Sequence, residues 1–536
     1  MKKFISLSAY LFILTSSVIF SQGTPFISEL APAHRTYYDI QSNGSSHLIQ
    51  QDPNTPSNIH AAFMYSPNGD SLVSSRRTVY CFSTDYGTTW YELGPVFPSM
   101  SSGFPVMLIL SNGSALIGNQ TKLGGTIERA QWFADVAPGA ASFVQLDPGI
   151  YGSAAALWPV GIQTKMLNKH TKFVFVAGNM LNRGLSLEAP SFSGYIPQAD
   201  ISSSFRCAMA KSENGKIGLA YIMEGTITEG KVSFKESTDD GVTWSTPILI
   251  WDPLLNNNYG AFNGIDMAYN GNSPNIVFET VKYVSNQPDI RSTAKIQFWS
   301  PAVNSGNPIV LDSSNNMTAP NPQSDGYAAV CRPVFGIGDN LIVAYCKART
   351  DVLDSNNYFD IYYRLSSNSG NTWMNPEMIT NNSGPLNDNR YVSVSNKNST
   401  RAFHLVFQQD SIPGSFINGA GKSLAKIMHC KIVLPYPPFG IQNIGTEIPA
   451  AYKLNQNFPN PFNPKTNIDF DIPKESVVKL TVYNSQGKVI AVLVDQNLTA
   501  GSYRVDWNAE IFSSGIYFYT ISAGKYYEAK KMVLIK

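Results

Sequence analysis

Seven short apolar segments recur along the first 435 residues, each following a turn rich in Gly, Asn or Asp. They are IHAAFMY from Ile59, ALIG from Ala115, FVFV from Phe173, IGLAY from Ile217, IVF from Ile276, LIVAY from Leu341 and FHLVF from Phe403. Their spacing averages about 57 residues, and seven such units fill the stretch from Thr24 to Pro435. A unit of that length holds several short strands. Because one small sheet cannot bury both faces alone, successive units must cover one another, which predicts an all-β, seven-bladed β-propeller. Six blades are the alternative, if the weak N-terminal strand only closes the ring.

The composition agrees with such a fold and narrows the partners. Charged residues are 14% of the chain while hydrophobic residues reach 43% and aromatics 12%, a balance that excludes disorder. Lys and Arg total 39 against 38 Asp and Glu, for a net charge of +1, so the chain lacks the basic field that nucleic acid requires. Lys2 and Lys3 precede an apolar run from Phe4 to Phe20 that ends at Ser21-Gln22, the pattern of a secretory signal peptide over residues 1–21. Beyond it no run is long and apolar enough for a membrane helix, so no transmembrane segment is expected in the mature chain. Five cysteines do not make a disulfide scaffold, but Cys331 and Cys346 lie symmetrically about a turn at Gly338-Asp339 and would face each other, where a disulfide is one outcome. His34, His47, His60, His170, His404 and His429 show no paired ligand spacing, and His60 and His404 sit inside apolar strands as core residues. No metal and no cofactor is expected, since phosphate loops, nucleophile elbows and zinc motifs are missing.

Three segments share one eight-residue pattern: STDYGTTW over Ser83–Trp90, STDDGVTW over Ser237–Trp244 and SSNSGNTW over Ser366–Trp373. Asp85, Asp239 and Asn368 fall 26, 22 and 27 residues after the apolar segments that open at Ile59, Ile217 and Leu341, so the three occupy one equivalent loop. The residue types suit a folded turn. Ser83, Ser237 and Ser366 with Asp85, Asp239 and Asn368 accept from loop amides, Gly87, Gly241 and Gly370 supply positive φ, and Trp90, Trp244 and Trp373 bury their rings. The pattern resembles the Asp-box of BNR repeats, so residues 22–435 resemble the sialidase-like propellers. In that family these turns lie away from the catalytic mouth, so they imply fold and not activity.

Aligning the units on their turns sets Arg206 level with Phe104 and with Arg332, and places Trp158, Asn263 and Arg390-Tyr391 correspondingly, at the start of the innermost strand. A funnel rimmed by guanidinium groups attracts a carboxylate through paired hydrogen bonds. Phe205-Arg206-Cys207 and Arg332-Pro333-Val334 resemble the Phe-Arg-Ile-Pro element of sialidases, and the order Arg332, then Arg349, Asp351 and Asp354, then Arg364 ahead of the third turn resembles their first blade. By that resemblance Arg206, Arg332, Arg390 and Arg349 would hold a ligand, Asp351 or Asp354 would serve as acid, and Tyr391, Glu224 and Glu279 are the nearest candidates for nucleophile and base. This chain departs from the family in placing the order in its sixth unit, and spacing pairs no tyrosine with a glutamate. A glycan or protein bound at the funnel is the leading reading; an exo-glycosidase of sialidase type is the second, and an adhesion or scaffold protein using the outer faces is the third.

Pro-rich residues 436–451 read as a linker, and residues 452–536 as short strands of an Ig-like β-sandwich with turns at Asn484-Ser485-Gln486-Gly487 and Ser522-Ala523-Gly524-Lys525. LNQNFPNPFNPKTNIDFDIP from Leu454, Val482-Tyr483-Asn484, Ser514-Gly515-Ile516-Tyr517 and the ending KKMVLIK closely resemble the type IX secretion sorting domain. The resemblance implies an outer-membrane translocon as partner of residues 452–536, and a secreted product, extracellular or at the outer-membrane surface.

Overall fold

The computed structural model describes residues 24–37, 47–67, 75–123, 127–146, 160–167, 170–177, 180–186, 206–223, 229–285, 287–291, 293–314, 327–350, 357–380, 386–399, 402–414, 421–434, 442–445, 447–487, 489–509 and 512–536. The fold is all-β. Two compact units are present, Pro25–Val433 and a second holding Leu434–Lys536.

Among the described residues the first unit contains seven antiparallel sheets in chain order. Sheet one runs Ile49–Gln51, Ile59–Tyr65, Arg77–Ser83, Tyr91–Pro95, and sheet two Ser101–Ile109, Ala115–Leu123, Ile127–Asp135, Phe143–Leu146. Sheet three has Val160–Leu167, His170–Ala177 and Met180–Ser186, and sheet four Cys207–Lys211, Ile217–Met223, Lys231–Ser237 and Ile248–Trp251. Sheet five is built on Tyr259–Asn270, Ser273–Val284, Ala294–Trp299 and Ile309–Ser314, and sheet six on Val330–Ile337, Leu341–Ala348, Phe359–Ser366 and Glu377–Met378. Sheet seven takes Asp388–Val394, Ala402–Asp410 and Lys426–Val433, and its outer strand is the N-terminal Thr24–Glu29. Each of the seven apolar segments is the second strand of one sheet. That strand is covered on both faces by neighbouring sheets, so Ile59–Met64, Ile217–Ile222 and Leu341–Cys346 are continuously buried, whereas the outer strand Tyr91–Pro95 is partly exposed.

Neighbouring sheets bury side chains against each other: Tyr80 and Phe82 of sheet one with Ile117 and Phe133 of sheet two, Val232 and Phe234 of sheet four with Met267 and Phe278 of sheet five. The ring closes where Ile59, Phe63 and Val79 of sheet one share a cluster with Val406 and Ile427 of sheet seven. A large buried side chain of this kind stabilises the packing by about 2 kcal/mol. Backbone bonds in both directions between Thr36 and Ala425 continue the pairing of first strand with last sheet. This succession of small sheets, each packed on the next and the last on the first, is a β-propeller.

The second unit is two four-stranded sheets around one core. One is ordered Gln442–Asn443, Gly501–Asn508, Lys465–Ile472, Lys453–Leu454, and the other Val489–Leu498, Ser476–Asn484, Gly515–Ala523, Tyr526–Leu534. Strict alternation along Lys465–Ile472 sends Ile468, Phe470 and Ile472 inward to meet Val478, Leu480, Trp507 and Tyr519. Gln442–Asn443 falls in the stretch expected to be linker. It pairs with Arg504 and Tyr503, because a strand at a sheet edge needs few ladder bonds and tolerates nearby proline. Phe462 of the proline cluster is buried, and its backbone N–H donates to Val533, tying that cluster to the last strand.

Candidate functional site

Because strands alternate in direction, first-strand starts, second-strand ends and third-strand starts share one face of the ring, here called the mouth, and the three eight-residue turns lie on the other. The turns are superimposable in their bonds. Gly87, Gly241 and Gly370 donate their N–H to Ser83, Ser237 and Ser366 Oγ at 2.9, 2.8 and 2.8 Å, and Thr89, Thr243 and Thr372 donate theirs to Asp85, Asp239 and Asn368. The residues at Gly87, Gly241 and Gly370 have φ of 74°, 80° and 87°, a region that favours glycine. Trp90 packs edge-on to His429 of sheet seven and Trp373 to Phe298 of sheet five, so each ring covers the preceding sheet. Arg364 lies on the strand leading into the third turn and donates to the carbonyl of Trp373 at 3.3 Å.

At the mouth, the innermost strands of sheets two, five, six and seven all bulge: between Gly103 and Val106, Ala261 and Ile265, Cys331 and Val334, and Arg390 and Ser393. Three bulges hold a non-glycine residue in left-handed backbone, with φ of 51° at Phe104, 55° at Arg332 and 55° at Tyr391. Such strained residues persist where the surroundings hold them and re-aim a side chain at a functional rim. The alignment of Arg332, Asn263 and Arg390-Tyr391 thus corresponds to one repeated backbone feature. Arg206 immediately precedes the innermost strand of sheet four, and its guanidinium lies 5.4 Å from the ring centre of Phe262, inside the sheet-five bulge.

Arg332 and Arg390 converge on Tyr327, their guanidinium carbons 5.2 and 4.9 Å from its ring centre. Tyr391 meets the same ring edge-on at 5.5 Å and donates its backbone N–H to Tyr327 Oη. Glu279 is fully buried on the second strand of sheet five and accepts from the N–H of Asn263 at 3.0 Å and from the N–H of Arg332. Burial pushes the Glu279 carboxyl above its ordinary range, opposed by the Arg332 charge and by backbone donors at Arg332, Asn263 and Gly264. Arg390 donates Nε to Asp388 at 2.6 Å, and burial raises the Asp388 carboxyl to about 6 against that guanidinium and the amides of Gly414 and Phe359. Arg349 faces Asp360 across 3.9 Å.

The expected ligand residues Arg332 and Arg390, with Asn263, and the expected catalytic candidates Tyr391 and Glu279 are therefore in one cluster. Trp158, Glu224, Asp351 and Asp354 lie outside the described residues, as does the expected signal peptide. Tyr327, Asp388 and Asp360 carry no signal in the repeat pattern. Cys331 and Cys346 pair directly across two strands as the symmetry about Gly338-Asp339 predicts, but both are free thiols, as are Cys81, Cys207 and Cys430. His60 and His404 are fully buried core residues. Among the described residues no group of three or more His, Cys, Asp or Glu is arranged to hold a metal ion, and no helix is long and apolar enough to cross a membrane.

Residues 456–536 match the family model of the secretion system C-terminal sorting domain. Among solved structures, a protein of unknown function from Dyadobacter fermentans is 13% identical with a TM-score of 0.40, over 76% of this chain and 99% of its own. The alpha-L-arabinanase of Penicillium chrysogenum is 11% identical with a TM-score of 0.40, over 64% and 97%. A Hadza microbial sialidase is 11% identical with a TM-score of 0.34, over 76% and 67%. No curated protein matches the chain. The sorting domain marks the chain for export by type IX secretion to the cell surface or the extracellular space.

Proposed function

We propose that the chain is an exported seven-bladed propeller of Asp-box type, with residues 1–21 as signal peptide, whose mouth binds a glycan or protein ligand. The observation that carries this reading is the convergence of Arg332, Arg390 and Tyr391 on Tyr327 at bulged, left-handed positions. Arg332 is the partly exposed member of the group and the buried Tyr327, Arg390 and Tyr391 pack around it, so its guanidinium is the preorganised contact for a ligand. Residues 452–536 engage the type IX translocon and are separable in role from the mouth.

A second reading, an exo-glycosidase of sialidase type, is favoured by the presence of Glu279 and Tyr391 around Arg332. In it Arg206, Arg332 and Arg390 clamp a carboxylate, and Asp351 or Asp354 is the acid. Against it, the Arg390 guanidinium that would clamp the carboxylate already pairs with Asp388 at 2.6 Å. Binding is the better supported of the two. The full-length protein assayed on arrayed glycans and on a fluorogenic sialoside separates them. Array binding that Arg332→Ala abolishes, without turnover, supports binding; turnover that Arg332→Ala abolishes supports the glycosidase; array binding or turnover that survives Arg332→Ala overturns the mouth assignment.

A further inference from the structure

We propose that His47 is a positioning residue for this mouth: as an imidazolium it ties together the three innermost strands that carry Asn263, Arg332 and Arg390-Tyr391, and its deprotonation loosens them. His47 lies two residues before the first strand of sheet one, and its ring is buried. Nδ1 lies 2.8 Å from the carbonyl of Val394 on sheet seven, and Nε2 lies 3.2 Å from Asp266 Oδ1 on sheet five. Both partners accept. A neutral imidazole has one N–H and one lone pair, so it satisfies only one of them; a ring that satisfies both carries both protons. The alternative, a protonated Asp266 donating to Nε2, is disfavoured by the N–H of Met267 at 2.8 Å on Oδ1 and the N–H of Phe335 at 2.7 Å on Oδ2, since two backbone donors stabilise the carboxylate form.

The register gives this pair its reach. Asp266 is three residues beyond Asn263, Phe335 three beyond Arg332, and Val394 three beyond Tyr391. The carbonyl of His47 accepts from Met107 of sheet two at 2.8 Å, three residues beyond Phe104. One layer below the mouth, therefore, a single imidazolium and its carboxylate hold the strands that carry the bulged positions of sheets two, five, six and seven. Asp266 is the charged group set against the ring; sheet seven presents the Val394 carbonyl, sheet two the Met107 amide, and sheet six reaches the pair through the Phe335 amide on Asp266. Burial favours a neutral ring, but the Asp266 charge and its hydrogen bond, with that of Val394, outweigh it and raise the His47 value above the ordinary range. A raised folded value means stabilisation that is complete below about pH 6.5 and is lost as pH rises through the folded value.

The role of His47 rests on the mouth reading, whereas its charge state does not, and the test keeps the two apart. The full-length protein is labelled with 15N-histidine and 13C-tyrosine and titrated from pH 5 to 10 without any ligand. The His47 signal is identified by its loss in His47→Gln and by its shift in Asp266→Asn; Tyr327 and Tyr391 are identified by their Phe variants. The expected result is a His47 ring with both nitrogens protonated at pH 7, a midpoint above 6.5 that falls by at least one unit in Asp266→Asn, and Tyr327 and Tyr391 signals that move with the same midpoint. A single-N–H ring at pH 7 overturns the charge assignment, and tyrosine signals that ignore the His47 midpoint overturn the positioning role. Should His47→Gln fail to fold, the wild-type titration with Asp266→Asn decides the same points.

Discussion

His47 and Asp266 stand 219 residues apart in the chain, and the His47 Nε2 and Asp266 Oδ1 atoms lie 3.2 Å apart in the fold. One belongs to the start of sheet one and the other to the inner strand of sheet five, so the contact is made across the ring, not between neighbours. A packed, charged layer at that depth gives the mouth a floor and leaves Arg332, Tyr391 and Tyr327 above it in fixed relation.

Gly264→Ala should disturb the mouth directly. A Cβ there would come 2.6 Å from Pro333 Cδ, 2.7 Å from Glu279 Oε2 and 3.0 Å from the backbone of Arg332. Two of those atoms are held by ring or backbone geometry, so the expected loss is about 1–3 kcal/mol, measured by denaturant unfolding. An unchanged midpoint would mean that the bulges of sheets five and six are not in contact.

The Arg390–Asp388 pair should be costly to break from one side. Asp388→Asn or Arg390→Met alone leaves a buried charge without its counterpart and should destabilise by about 3–5 kcal/mol, while the double change Asp388→Asn with Arg390→Met, which keeps a side-chain acceptor for the Phe359 and Gly414 amides, should cost less than the two single changes together. Additive single effects in the same unfolding measurement would show that the pair is not coupled.

Acid should weaken the propeller through its buried histidines. Burial lowers His60 and His429 to about 3, and His404 falls well below its ordinary value for the same reason and because a second proton beside His429 and the Lys431 charge would be repelled. These rings stay neutral in the fold while the unfolded chain protonates near 6.5, so stability is present above about pH 6.5 and declines toward pH 3. Thermal unfolding followed from pH 7 to 4 should show this fall, and His429→Gln should flatten it. A pH dependence that His429→Gln leaves unchanged would contradict the buried, neutral assignment of that ring.

All five thiols should be unreactive in the native protein and titrate on unfolding. Burial pushes Cys207 and Cys346 up to about 12 and raises Cys81, Cys331 and Cys430 as well. An aromatic disulfide reagent should count none in buffer and five in denaturant; three in denaturant would reveal a bond between Cys331 and Cys346.

What could be read from the sequence was what repeats. The seven apolar segments mark second strands because a strand covered on both faces is continuously apolar, and the turns at Ser83, Ser237 and Ser366 fix their phase. That phase alone set Arg332, Asn263 and Arg390-Tyr391 at equivalent depth. Tyr327, Asp388 and Asp266 left no such trace. Tyr327 precedes its strand and belongs to no repeated motif, and the value of Asp266 comes from His47 on another sheet, a contact that no local period encodes. The symmetry about Gly338-Asp339 gave the register of Cys331 and Cys346, since register follows from a hairpin, but whether two opposed thiols bond depends on finer geometry.

The ring is closed by its own N-terminal segment, and a cross-link across that closure tests it. Thr36 and Ala425 exchange backbone hydrogen bonds at 3.0 and 2.8 Å, a pairing that brings their Cα atoms within disulfide reach. In full-length protein carrying Thr36→Cys and Ala425→Cys, mild oxidation should form this bond, seen as a mobility shift on a non-reducing gel and as one cross-linked peptide by mass spectrometry. Failure to form it, while both cysteines stay reactive to a thiol reagent in the folded protein, would show that the first strand does not complete the last sheet and that the ring is not closed as described.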